Sequence, residues 1–462
     1  MYIDPIYHQP VFPRNSMFNR VLIANRGEIA LRIGRALRSL GVEVCMIHGR
    51  EDRLSTPVRF SDDARSILRP NPLDSYLDIE AVVQAAKSMG VDAIHPGYGF
   101  LAENADFVKR LEEENITFIG PSSDVIRLLG DKIEARKAME SAGLPVAKGS
   151  SEPVSSADEA VSLAQEIGYP VIIKAAAGGG GIGMQIVHEA SEFSSALNLC
   201  QSRARSAFGD DRVFVEKYIE GAQHIEFQVL ADGKNAIHFG ERFCSIQRRH
   251  QKLLEEGPWL TEEIRSEIGA KVCAGAEAVG YRGLATFEFL RDSKGHFYFL
   301  EVNPRVQVEH TVTEMITGED MVQLGIRVAA GESLPLTQED INFNGHAIQF
   351  RINAEDPKKF VPSPGKLWEC HFPGGVGVRV DTHAHVGYDM PGCFDSLLAK
   401  MIVWGKDRNE AIARSRAALA ETVIVGVDTV IPLHRSILDE RDFLDRRVTI
   451  RYLEEHPNIL KN

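Results

Sequence analysis

The 462-residue sequence reads as a mixed α/β and α+β protein made of more than one folding unit. Three observations predict this. Short apolar runs alternate with helical patterning through the first third, in repeated strand–helix–strand order. From about residue 213 the apolar period becomes two, with a hairpin signal between two of the alternating runs. The length is also too great for one compact core, which points to about two to four domains.

RVLIA (20–24) reads as a buried strand, followed by a helix over 27–40 with Ile29, Ile33, Leu37 and Leu40 at helical spacing. VEVCMI (42–47), a helix over 79–89, VDAIH (91–95) and ITFIG (116–120) continue the pattern. A parallel sheet with helices on both faces follows, Rossmann-like in order. G-x-G-x-x-G is missing after the first strand, so no dinucleotide is expected there. The pattern changes near residue 130. HIEFQVL (224–230), TFEFL (286–290) and HFYFLEV (296–302) alternate, and RDSKG between the last two reads as a hairpin turn. A helix is expected over 408–421.

Apolar content of 44% and charged content of 25% are those of ordinary soluble globular proteins. The net charge of −13 argues against non-specific nucleic-acid binding, so cations that handle anions must be gathered locally. Six scattered cysteines with no C-x-x-C pair fit neither a disulfide framework nor a zinc site, and suit a reducing, cytoplasmic compartment. No apolar run nears the ~20 residues that span a bilayer, so no membrane association is expected. The first sixteen residues lack the regions of a signal peptide and read either as an irregular leader or as the product of a start upstream of Met17.

VIIKAAAGGGGIGM (171–184) is a strand followed by a glycine loop. Consecutive glycines let backbone N–H groups approach a polyphosphate, and Lys174 at the strand end supplies a cation. No G-K-[ST] follows, so this is not a Walker loop. The plain alternative is a flexible surface hairpin. The lysine tips the reading toward phosphate, with the hairpin as a lid.

In EVNPRVQVE (301–309), Glu301, Asn303, Arg305, Gln307 and Glu309 alternate with Val302, Val306 and Val308. An extended segment puts all the polar side chains on one face, which could simply be solvated. Two features favour chemistry. Pro304 marks an edge strand or a departure from the sheet, and Glu288 lies across the hairpin from Glu301. Two carboxylates and an amide oxygen are hard ligands suited to Mg²⁺ between protein and phosphate. Arg305 and Gln307 could receive an anion, with Glu309 as base. ERFCSIQRRHQKLLEE (241–256) concentrates Arg242, Arg248, Arg249, His250 and Lys252. It reads either as a salt-bridged surface segment or as a site for anionic intermediates.

IANRGEIALRI, HPGYGFLAEN, GDK, KAAAGGGGIGM, ERFCSIQRRHQK, EVNPRVQVEHTVTEMITG, RINAED and PSPG occur in this order. Together they resemble the biotin carboxylase component of acetyl-CoA, propionyl-CoA and pyruvate carboxylases, an ATP-grasp family, from about Phe18 to about Leu453. The resemblance implies a leader over 1–16, a Rossmann-like N-terminal domain over 17–130 and an ATP-grasp lid over 131–220. The remainder, 221–462, would hold the ATP-grasp core and the biotin carboxylase C-terminal domain.

It further implies that Lys132 and Lys174 hold the phosphates of ATP, under a lid containing Gly178, Gly179, Gly180, Gly181, Gly183 and Met184. Glu216 and the backbone near Lys217 and Ile219 would meet the base. His224 and Gln247 would contact the nucleotide, with His250 near the phosphates. Glu288 and Glu301, with Asn303, would hold Mg²⁺ or Mn²⁺. Bicarbonate would sit against Arg305, Gln307 and the Val308 backbone, with Glu309 as its base. Arg351 would stabilise the biotin enolate and Lys252 the intermediate.

No Ala-Met-Lys-Met segment is present. Biotin is therefore expected on a separate carrier protein, with the carboxyltransferase on another chain. The reaction implied is the first half-reaction of an enzyme such as acetyl-CoA carboxylase in fatty acid biosynthesis. Propionyl-CoA, pyruvate and 2-oxoglutarate remain alternative final acceptors. A homodimer through the C-terminal domain, near Arg379 and Asp395, is also implied.

Two other readings compete: a different ATP-grasp ligase joining a carboxylate to an amine, and a regulatory ATP-binding protein without turnover. The segments QRRHQK and RVQVEH argue against the first, and the intact carboxylates, Arg305 and Arg351 against the second. The main departure from the family is Ile182, where many relatives carry Arg or Lys. This predicts weaker phosphate contact from the lid, or lid closure driven by the glycine N–H groups alone, and Ile182→Arg tests it through KM for ATP and turnover. Unchanged KM and turnover would show that the position is neutral.

Overall fold

The computed structural model describes residues 17–154, 156–177 and 183–460. The leader 1–16 and Gly178, Gly179, Gly180, Gly181 and Ile182 lie outside the described residues.

Strands β1 (Arg20–Ile23), β2 (Glu43–His48), β3 (Asp63–Ser66), β4 (Ala93–His95) and β5 (Thr117–Phe118) form a parallel sheet in the order β3-β2-β1-β4-β5. Strand side chains alternate between faces. Val21, Ile23, Val44 and Met46 share one cluster with Ile29, Ile33 and Leu37 of the helix Gly27–Ser39. Leu22, Cys45, Ile47 and Ile94 share another with Val82, Val83 and Ala86 of the helix Ile79–Met89. Both faces are thus covered by helices, as expected. Each such buried aliphatic side chain contributes about 1.5–3 kcal/mol.

Strands β6 (Val171–Ala175), β7 (Gln185–Val187) and β8 (Val213–Lys217) make a small antiparallel sheet in the order β7-β6-β8. Its apolar face packs on the helices Ala157–Ile167 and Phe193–Phe208. This is a separate core, whose residues belong to no other cluster.

The largest sheet takes in β9 (Gln223–Asp232), β10 (Ala236–Arg248), β11 (Gln251–Gly257), β12 (Arg282–Arg291), β13 (Phe297–Asn303) and β14 (His346–Asn353). After the short β15 (Gly365–Lys366) and β16 (Glu369–His371) come β17 (Val378–Thr382), the short β18 (Asp389–Met390) and β19 (Leu397–Gly405). The order is β13-β12-β9-β10-β11-β14-β19-β17. All of its pairings are antiparallel. The helix Arg408–Glu421 falls where the sequence put it. Among the described residues, no helix is long and apolar enough to cross a membrane.

Two segments differ from what simple alternation suggests. A period of two commonly means one wet face, but β9 is buried on both. Ile225, Phe227 and Val229 enter the apolar core, while Glu226 and Gln228 on the other face are equally inaccessible. The segment 301–309 is also not extended throughout. β13, an edge strand, ends at Asn303. Pro304, without an N–H, takes the chain out of the sheet, and the helix His310–Thr317 begins directly after Glu309.

Candidate active site

Register builds the floor of the site. Arg242 of β10 stands opposite Glu226 of β9, which faces Glu288 of β12, which faces Glu301 of β13. Three carboxylates abreast on neighbouring strands repel one another, so such a row needs cations. Arg242, wholly buried, donates to Glu226 at 2.6 Å and to Gln228 and Thr313 at 2.9 and 2.8 Å. Lys252 of β11 donates to Glu226, to Glu288 at 2.7 Å and to Glu309 at 2.7 Å. Lys132 lies 3.4 Å from Glu301. The basic segment 241–256 is therefore not a salt-bridged surface strip. Arg242 and Lys252 point into the fold, because burying paired carboxylates requires partners there.

Although 304–309 is not a strand, its turn still gathers the predicted residues. Asn303 and Gln307 donate to Glu288 at 3.0 and 3.2 Å. Arg305 donates to Asn303 at 3.0 Å and to Gln307 at 2.9 Å. Its Nε meets Glu103 of the first unit. Glu309, fully buried at the start of the helix His310–Thr317, also accepts from Arg351 at 3.0 Å. Arg351 in turn donates to Glu255 at 2.6 Å.

The electrostatics follow from these contacts. Burial alone would raise the Glu309 pKa. Lys252, then Arg351 and Arg242, outweigh it and hold the carboxyl well below its usual range. Burial likewise opposes ionisation of Glu288, but Lys252 and His224, 3.1 Å away, keep it far below normal. Burial would lower Lys252, whereas Glu226, Glu288 and Glu309 push it well above normal. Glu309, Glu288 and Lys252 are therefore charged at neutral pH.

A cleft of about 1780 Å³ runs past these residues. Lys174, Met184, Glu216, Lys217 and Ile219 line it, as do Arg305, Gln307, Val308 and Arg351. Lys132, His224, Gln247, His250, Lys252, Glu288, Glu301 and Asn303 are also on its wall. Lys174 turns to Glu216 at 2.5 Å. Lys217 turns its ammonium to the carbonyls of Gly168 and Tyr169, at 2.9 and 3.0 Å. Gly183 adopts φ of +74° at the end of the glycine loop, close to Ala175.

Arg249 and His250 form the two-residue turn between β10 and β11, with φ of +49° and +65°. Hairpin turns of this kind prefer Asn-Gly. A left-handed conformation costs about 1–2 kcal/mol per ordinary residue. The strained pair is set into the cleft wall.

Sequence reasoning missed Glu226, Glu255 and Tyr98. The signal for Glu226 was its place on the polar side of HIEFQVL, opposite Glu288 once β9 pairs with β12. Glu255 in KLLEEG carried none.

Three folded units around one cleft, with Lys132 and Lys174 on its wall and paired carboxylates on its floor, define an ATP-grasp ligase. Sequence comparison agrees. The biotin carboxylase N-terminal domain matches residues 17–126. The ATP-binding domain of the carbamoyl-phosphate synthase L chain matches 131–337, and the biotin carboxylase C-terminal domain 349–455.

The chain is 49% identical to biotin carboxylase of Pseudomonas aeruginosa over 443 residues, 95% of this chain and 98% of that one. The crystal structure of the biotin carboxylase component of pyruvate carboxylase superposes with a TM-score of 0.84 at 47% identity, with 96% of this chain and 100% of that one covered. The biotin carboxylase domain dimer of Hydrogenobacter thermophilus 2-oxoglutarate carboxylase, solved with MgADP, ADP and bicarbonate, superposes with a TM-score of 0.93. That chain is 48% identical, with 96% of this chain and 99% of that one covered. The chain belongs to the biotin carboxylase family, whose members use ATP to carboxylate biotin, the first half-reaction of biotin-dependent carboxylases.

Proposed function

We propose that this chain carries out that half-reaction alone, acting on biotin borne by a separate carrier protein, with the carboxyltransferase on another chain. The observation that carries this reading is the convergence of Arg305, Gln307, Glu309 and Arg351 beside the carboxylate row, in the cleft that Lys132 and Lys174 also line.

ATP lies with its base near Glu216, Ile219 and the Lys217 backbone, contacted by His224 and Gln247. Lys132, Lys174 and His250 take the phosphates. The donor set of Glu288, Glu301 and the Asn303 amide oxygen is of hard oxygen atoms and fits Mg²⁺ or Mn²⁺. Such an ion supplies charge neutralisation on the phosphate oxygens.

Bicarbonate binds Arg305, Gln307 and the Val308 N–H. Its negative charge, with that of the nucleotide, offsets the cations that depress Glu309 and so raises the basicity of that carboxylate. Glu309 then takes the bicarbonate proton. The freed oxygen forms a bond to the γ-phosphorus as the bond to ADP breaks, giving carboxyphosphate. This splits to CO₂ and phosphate. Phosphate takes the proton from biotin N1, Arg351 stabilises the resulting enolate, and N1 bonds to CO₂. Lys252 balances the charge throughout.

The test is ATP cleavage by the purified protein with Mg²⁺ and free biotin. Cleavage should require bicarbonate and rise with biotin; a rate unchanged on removing bicarbonate sinks the reading. Arg305→Ala should raise KM for bicarbonate about tenfold or more and leave KM for ATP nearly unchanged, because a charge-assisted contact to one substrate is lost. Equal effects on both constants would count against the bicarbonate assignment.

A homodimer is also proposed, because the related 2-oxoglutarate carboxylase domain is described as one. Arg379 is tied within its own chain to Glu314 and Asp381, and Asp395 lines the cleft. A cytoplasmic location is part of the same proposal. The final acceptor is set by the partner chain, as the pyruvate and 2-oxoglutarate carboxylase relatives illustrate.

A further inference from the structure

A wholly buried cation stands behind the anion-binding turn with no role in the scheme above. Lys400 of β19 has no solvent exposure. Its Nζ donates to the Val308 carbonyl oxygen at 3.1 Å. Glu28 Oε2 lies 3.1 Å away as an ion partner without hydrogen-bond alignment, and Asp381 Oδ2 lies 3.9 Å away. Asp381 already accepts from Arg379 at 2.8 Å, so Glu28 is the closer and less shared counter-ion. The other Glu28 oxygen accepts from the Tyr98 hydroxyl, and Tyr98 is on the cleft wall. A lysine buried so completely is costly to desolvate, and an apolar side chain would fill the same core without that cost.

The neighbouring carbonyl is held as well. Gln307 O accepts from His310 Nδ1 at 2.6 Å. A carbonyl can only accept, so Nδ1 carries the proton. Burial first, and then Lys400, Arg32 and Arg379, hold this imidazole well below its usual pKa, which keeps it neutral. A trans peptide is planar, with its N–H opposite its C=O. With Gln307 O turned toward His310, the Val308 N–H points the other way. With Val308 O turned toward Lys400, the Glu309 N–H is fixed in the same manner. Two successive peptides are thereby oriented at the turn that carries Gln307 and Glu309.

We propose that Lys400, anchored on Glu28 of the N-terminal unit, is a positioning residue that orients the 307–309 turn and so sets the bicarbonate contacts. The proposal rests on the reading that this turn receives bicarbonate. The Glu28–Lys400–Val308 path also links the first unit directly to the reacting end of the cleft.

The test uses Lys400→Met in the full chain, and Lys400→Met with Glu28→Gln, which removes the carboxylate left without its partner. KM for bicarbonate should rise about 10- to 100-fold in both, the scale of a misplaced binding group. KM for ATP should stay within about twofold. A purely structural lysine would lower the melting temperature without splitting the two constants. Bicarbonate KM near wild type in a folded variant overturns the proposal, as does failure of both variants to fold. Arg305→Ala is the control. If it leaves bicarbonate KM unchanged, the bicarbonate reading itself has failed. If it raises that KM while Lys400→Met does not, only the positioning role is lost.

Discussion

Glu309→Gln is expected to lower kcat by roughly 10²- to 10⁴-fold, the usual loss on removing a general base, with KM for ATP little changed. The substitution keeps the shape of the side chain but removes its charge. Lys252 retains Glu226 and Glu288, and Arg351 retains Glu255, so the fold should survive. Steady-state kinetics with varied ATP and bicarbonate will decide it. A tenfold or smaller change in kcat would remove Glu309 from the role of base.

The same cluster sets a pH dependence. The pKa of Glu309 is depressed in the folded protein, so its contribution to stability is present above the unfolded carboxyl pKa. It is lost only as pH falls through the folded value, well below the usual range. Lys252 is raised, so its contribution is complete below the unfolded lysine pKa. That contribution disappears only when pH rises through the still higher folded value. The site should therefore hold together across the neutral range.

Lys252→Met carries the second large effect. Three carboxylates lose a shared cation in a buried setting. Removing one partner of a buried ion pair typically costs about 3–5 kcal/mol. Glu309 also loses the first of the cations that depress it, so its pKa should rise and the acid limb of kcat/KM should move to higher pH. Denaturant melts and a pH profile test both parts. Unchanged stability together with an unmoved acid limb would mean that the contacts of Lys252 carry little energy.

The sequence made some of this legible for local reasons. Ile29, Ile33 and Leu37 had a helical period and one buried face to satisfy it. RDSKG signalled the hairpin that brings Glu288 near Glu301, but not the exact register, because a bulge between Glu288 and Phe289 shifts the pairing by one residue. Pro304 correctly marked the end of the strand. The helix start at His310 was hidden by VQVE, whose alternation looks like more strand. Glu226 was hidden by the layer that covers β9, which turned an apparent wet face into the floor of the site. Glu255 and Lys400 were out of reach for another reason: their partners lie on strands and helices far along the chain. No local pattern encodes such pairs.

The central claim is that a bicarbonate oxygen attacks the terminal phosphorus of ATP. The direct measurement is single turnover with ¹⁸O-bicarbonate, biotin and Mg·ATP, followed by mass analysis of the phosphate released. The oxygen that joins carbon to phosphorus stays with phosphate when CO₂ leaves, so one labelled oxygen per phosphate is expected. Phosphate carrying no label would mean that water cleaves the ATP, and the account would be contradicted.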